Sequence, residues 1–210
     1  QHSFINSFKA YRHDCLGRRK TNKFEHLRPT KKIRLPVVLS EQQIKEGFSK
    51  IKNQKHKCIC LLLYGCGLRL NELLNCKIGW FSKNNELRII GKGNKQRIVP
   101  ISDHLLDELS KYRKKYLRNP SVNDYVIQGS KKSKYSESSV QNITKKFFNV
   151  SPHKLRHSYA THLLQHGYDV SEIQKLLGHS KVTTTMTYLH INVNHLKEKY
   201  QTAELVCYKV

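Results

Sequence analysis

The chain has 210 residues, enough to bury the core of one domain with an appendage, and 38% of them are apolar. Its 39 lysines and arginines stand against 15 acidic residues, a formal charge of +24 that attracts polyanions, nucleic acid foremost. That charge is spread along the chain and not confined to one amphipathic helix, which argues against a membrane-surface protein, and no run is apolar for long enough to span a bilayer.

The first elements follow in chain order. Residues 3–16 place Phe4, Ile5, Phe8, Tyr11 and Cys15 at helical spacing, with Gly17 closing the helix. Residues 18–36 read as a basic linker broken by Pro29 and Pro36. Ser40 and Gln43 form a capping box ahead of Ile44, Phe48 and Ile51, where the compact domain starts. A helix over 54–66 ends near Gly65 and Gly67, and Arg69 then opens a short helix with Glu72, Leu73 and Leu74. Residues 86–90 and 96–101 alternate like strands around the turn Gly91-Lys92-Gly93-Asn94-Lys95.

Beyond the hairpin, a helix is expected over 102–118, a strand over 125–128, a Ser/Lys-rich loop over 129–137 and a helix over 138–148. Ser151-Pro152 opens a helix carrying Leu155, Tyr159 and Leu163 on one face and ending at Gly167. A short helix over 171–177 ends at Gly178. Two further helices and a tail follow from Thr183, with Val193, Leu196, Tyr200 and Ala203 at helical spacing. The expected fold is mainly α with a small antiparallel β-sheet, an α+β class. The six cysteines (Cys15, Cys58, Cys60, Cys66, Cys76, Cys207) form no CxxC pair; several lie in apolar runs, as small buried residues in a reducing cytoplasm do. No signal peptide is visible. A first residue of Gln, not Met, reads as the start of a fragment or processed form.

Six residues suggest chemistry: Arg69, Lys92, His153, Arg156, His179 and Tyr188. Each taken singly has an ordinary structural reading as a cap, a surface charge or a core tyrosine. Together they fit one reaction. His153 and Arg156 are three apart on a helix and share a face at its positive end, where an anion is favoured. Two arginines supply planar forks for the non-bridging oxygens of a phosphodiester, and a hairpin lysine can protonate a leaving oxygen. A tyrosine, with a reference pKa of about 10, needs such a cationic pocket to act as a nucleophile.

These residues carry a resemblance. Arg69 within YGCGLRLNELLN, Lys92 within IIGKGNKQRIVPI, and the run SPHKLRHSYATHLLQHGYDVSEIQKLLGHSKVTTTMTYLHI resemble the tyrosine recombinase (phage-integrase, Xer-like) family from about residue 36 to 200. The last run is the specific part, and within it MTYLHI departs from the family's usual Tyr-Thr-His. The resemblance implies that Arg69 and Arg156 clamp the scissile phosphate and that Lys92 is the general acid for the 5′-oxygen. It implies acid–base transfer by His153, a hydrogen bond to the phosphate from His179, and attack by Tyr188 to give a 3′-phosphotyrosine. Glu72 would brace Arg69, and His157 would support the site from behind.

The resemblance also implies an organisation and partners. Residues 1–17 would be the last helix of a truncated core-binding domain, 18–36 an interdomain linker, and 37–210 the catalytic domain with its C-terminal helix. Arg18, Arg19, Lys20, Lys31, Lys32 and Arg34 of the linker, with Lys95 and Arg97 of the hairpin, would contact backbone phosphates. The partner would be double-stranded DNA, with a homotetramer in the synapse, a monomer when free, and the last helix docked on a neighbouring protomer. The location would be the cytoplasm, at the nucleoid of a prokaryote or on a mobile element.

No metal or other cofactor is expected. His153/His157 and His162/His166 have i,i+4 spacing but lie in no HExxH motif. Two rival functions remain: relaxation of supercoils by the same phosphotyrosine chemistry, as in type IB topoisomerases, and a non-catalytic DNA-binding remnant.

Overall fold

A computed structural model describes residues 2–17, 38–91 and 96–178. The chain divides into two compact units, Gln1–Leu35 and Pro36–Val210. In the first, helix α1 (His2–Asp14) stacks Phe4 on Phe8 one turn away, with ring centroids 6.4 Å apart.

The second unit begins where the capping box predicts. Ser40 Oγ accepts from the Gln43 N–H, Gln43 Oε1 accepts from the Ser40 N–H, and α2 (Glu41–Ser49) follows. Helix α3 (Gln54–Gly65), capped by Asn53, is the spine of the core: Cys58, Ile59, Cys60, Leu62 and Leu63 are wholly buried. Burial pushes the thiols of Cys58, Cys60 and Cys66 up to about 12, so they serve as small apolar side chains. Cys15, by contrast, is exposed. Helix α4 (Leu70–Asn75) leads to the hairpin β1 (Glu86–Ile90) and β2 (Gln96–Pro100), antiparallel with Glu86 opposite Pro100 and Ile90 opposite Gln96. Leu87, Ile89 and Val99 face the core, as alternation requires.

Helices α5 (Asp103–Tyr116), α6 (Glu137–Phe148), α7 (Pro152–Gln165) and α8 (Val170–Leu177) complete the described unit. Residues 125–128 do not form the expected strand. Tyr125 bridges Lys77, Gln128 bridges Lys134, and the Val126 N–H bonds the Cys76 carbonyl. Two neighbouring segments thus take these backbone groups one at a time, and no ladder forms. The link from α6 to α7 is short because Asn149 adopts a left-handed φ of 54° and returns its N–H to Lys145.

Three hydrogen bonds set α7 in place. The Leu39 N–H donates to Ser158 Oγ at 3.0 Å, and His162 Nε2 donates to the Leu39 carbonyl at 2.9 Å, leaving His162 Nδ1 to accept from the Tyr64 hydroxyl at 2.7 Å. Ala160, Leu164, Ile173 and Leu177 pack α7 against α8. Among the described residues, no helix is long and apolar enough to cross a membrane. The helices expected beyond Thr183, including the docking tail, lie outside the described residues.

Candidate active site

The reversal after α3 creates the site. Gly67 sits at φ +57°, and a Cβ there would lie 2.7 Å from Tyr159 Cδ1 and 2.8 Å from Leu177 Cδ2, so only glycine lets this loop meet α7 and α8. Its carbonyl accepts from Arg156 Nη1. Two residues on, Arg69 is the N-cap of α4, and Glu72 reaches back to it.

Glu72 is the hub. Its Oε1 accepts from Arg69 Nη1 and Arg97 Nη1, both at 2.8 Å, and its Oε2 accepts from the Arg69 N–H at 2.8 Å and Arg97 Nη2 at 2.7 Å. Arg156 Nη1 stands 3.7 Å from Oε2. Burial pushes the carboxyl up, but the hydrogen bonds and charge of Arg97, then the backbone and side-chain hydrogen bonds of Arg69, outweigh it and hold Glu72 at about 2.

The same three arginines meet the end of α8. The Leu176 carbonyl accepts from Arg97 Nε at 2.8 Å, the Leu177 carbonyl from Arg156 Nη2 at 2.6 Å, and the Gly178 carbonyl from Arg69 Nη2 at 3.1 Å. The negative end of the helix dipole and its unpaired carbonyls favour these cations. Gly178, the left-handed C-cap, precedes His179 in the chain.

His153 occupies the first turn of α7, exposed at the cleft. Burial, then the charges of Arg156 and Arg69, lower its pKa, so the imidazole is neutral at neutral pH and able to accept a proton. His157 stacks edge-on against it at 4.4 Å between centroids and is held at about 4 by burial, then by His153 and Arg156. A histidine whose folded pKa lies below its unfolded value of 6.5 stabilises the fold above that value, and the stability falls as pH drops from 6.5 toward 4. His157 should therefore contribute about 2–3 kcal/mol of acid sensitivity in that window. Urea melts at a series of pH values should show the slope, and His157→Gln should flatten it. An unchanged slope in the variant would refute the assignment.

Arg69, Glu72, His153 and Arg156 line one open cleft, together with Ile90, Gly91 and Gln96 of the hairpin and Gly178. Lys92, His179 and Tyr188 lie outside the described residues, as do Arg18, Arg19, Lys20, Lys31, Lys32, Arg34 and Lys95. Arg97, expected on a DNA backbone, lines this cleft with a side chain only 9% exposed and held by Glu72 and Leu176. The signal for this was present, since Arg97 is in phase with buried Val99 on β2. It was obscured by Ile98, an apolar residue that points outward and is 58% exposed. The histidine pairs do not gather as ligands, for His162 is held by Tyr64 and Leu39, and His166 bonds Glu41 at 2.7 Å.

The model of the phage integrase family matches residues 38–195. Tyrosine recombinase XerA of Pyrococcus horikoshii is 40% identical over 179 residues, which are 82% of this chain and 63% of that protein. Tyrosine recombinase XerA of Thermococcus kodakarensis is 38% identical over 196 residues, 87% of this chain and 68% of that one. The chain thus spans about two thirds of the length of these relatives. A crystal structure of XerA recombinase superposes with a TM-score of 0.71 at 26% identity, covering 95% of this chain and 81% of that chain. The XerH site-specific recombinase bound to a palindromic difH substrate superposes with a TM-score of 0.70 at 25% identity, covering 85% of this chain and 56% of that one. With the match spanning all three motif runs and the cleft residues, the chain belongs to the phage integrase family.

Proposed function

We propose that this protein is a site-specific DNA recombinase that cleaves and rejoins duplex DNA through a 3′-phosphotyrosine on Tyr188. The observation that carries the reading is the convergence of Arg69, Arg156 and His153 on one cleft at the positive end of α7. Arg69 and Arg156 hold the non-bridging oxygens of the scissile phosphate. The Tyr188 phenol gives its proton to a base, for which neutral His153 is suited, and its oxygen attacks phosphorus. The P–O5′ bond breaks as Lys92 protonates the leaving 5′-oxygen, and His179 bonds the charge that develops. A 5′-hydroxyl from another strand reverses the step, and phosphodiester energy is conserved.

The remaining features take their places in this reading. Residues 1–17 are the last helix of a core-binding domain, and the basic residues of 18–36 follow backbone phosphates. The protein is a monomer when free and a tetramer in the synapse, where its C-terminal helix docks on a neighbour, and it works in the cytoplasm on chromosomal or mobile DNA.

The test offers the protein a pool of labelled, nicked duplexes with randomised arms, in which cleavage next to the nick releases a short strand and traps the enzyme. An SDS-resistant protein–DNA adduct is expected, and Tyr188→Phe should abolish it. No adduct from any member of the pool, or an adduct that survives Tyr188→Phe, would overturn the reading.

A further inference from the structure

Arg97 is partly buried and joins three elements. From β2 it offers a two-pronged fork to Glu72 of α4, at 2.8 and 2.7 Å, and its Nε to the Leu176 carbonyl of α8 at 2.8 Å. The approach is so close that a Cβ on Gly178 would lie 3.0 Å from Arg97 Cδ. Arg97 lines the same cleft as Arg69 and Arg156, but both of its terminal nitrogens are on the carboxylate and its Nε is on a helix-end carbonyl.

We propose that Arg97 is a positioning residue of the phosphate clamp: it is the resident counter-ion of Glu72, and by matching that charge it leaves Arg69 and Arg156 their positive charge for the reacting phosphate. The proposal rests on the recombinase reading. The charge count carries it. One carboxylate faces three guanidiniums, so two positive charges remain once Arg97 is paired. Attack of a phenolate on a phosphodiester passes through a transition state bearing about two negative charges, which those two arginines match.

Without Arg97, the carboxylate would draw on the remaining donors. Arg69 already gives Nη1 to Glu72 and Nη2 to the Gly178 carbonyl, but with a side chain 42% exposed it has room to shift, whereas Arg156 is 2% exposed and fixed by Gly67 and Leu177. Arg69 would turn its second prong from the Gly178 carbonyl onto Glu72 as well, becoming that carboxylate's full counter-ion and losing its aim at the cleft. Arg97 therefore acts on the phosphate through Glu72 and Arg69 and does not touch it.

Arg97→Met should slow single-turnover formation of the covalent adduct on the order of 10²-fold, with duplex affinity from gel shifts unchanged. Glu72→Gln added to that variant removes the stray charge, and the double variant should react about tenfold or more faster than Arg97→Met alone. A neutral Met–Gln pair also relieves the buried charge, so the double variant keeps the test open where the single one folds poorly. A structural role alone would lower the fraction of protein that reacts and leave the rate of the remainder unchanged. The proposal fails if Arg97→Met reacts at the wild-type rate, or if the double variant is as slow as Arg97→Met. Absence of the wild-type adduct would instead strike at the recombinase reading itself.

Discussion

Arg156→Ala is expected to slow adduct formation by roughly 10²–10³-fold while duplex affinity stays nearly unchanged. The guanidinium is almost wholly buried, held by the Gly67 and Leu177 carbonyls and set beside Glu72. A donor fixed in that way needs no reorganisation when charge develops on the phosphate, and this preorganisation is what makes one transition-state contact worth about 3–4 kcal/mol. Binding, in contrast, draws on a chain of formal charge +24, so loss of one arginine removes one contact among many. Arg156→Lys should not restore the rate, because an ammonium cannot serve two carbonyls and a phosphate with one planar fork. Single-turnover kinetics beside gel shifts over a salt series would check the split. Equal losses in rate and affinity would make Arg156 an ordinary binding residue.

Glu72→Ala should lower stability at neutral pH by about 3–5 kcal/mol, because two buried guanidiniums lose their counter-ion. Arg69 can turn toward water; Arg97, at 9% exposure, and Arg156, at 2%, cannot. In a unit of this size the thermal midpoint should fall by about 6–20 °C. The pH dependence has a definite sign. Glu72 is held at about 2, below its ordinary value of 4.5, so its contribution is present above 4.5 and disappears as pH falls toward 2. The gap between wild type and variant should therefore narrow across that window, below the range in which His157 acts. Thermal melts of both proteins at neutral and acid pH measure it, and a gap that does not change with pH would show that Glu72 stabilises by packing and not by charge.

Much of the fold was legible because its determinants are local. Ser40, Asn53, Ser102 and Ser136 each accept a backbone N–H from the first turn of the helix that follows, and such caps act over three residues. Alternation marked β1 and β2, and Pro152 marked the start of α7. The Val126-Ile127 run at 125–128 misled for a physical reason: β-branched, buried residues resemble a strand, but a strand also needs one continuous neighbour, which is supplied from elsewhere in the chain.

Family membership was legible as well, since the residue types around Arg69, His153, Arg156 and Tyr188 carry the family pattern. Partnership among the charges was not. An arginine in a sequence is a cation with a long reach, and nothing in its neighbours says whether it meets solvent, DNA or a buried carboxylate. The distribution of three arginines over Glu72 and over the carbonyls of Leu176, Leu177 and Gly178 joins residues as far apart as Arg69 and Gly178. It exists only once the core brings α4, β2, α7 and α8 to one point. The sequence by itself determined most of the described elements and named the candidate reactive groups, because caps, periodicity and spacing act within a few residues. Tertiary packing decided how three arginines share Glu72 and the last carbonyls of α8 in one cleft, because burial and distance set the strength of every charge in the site.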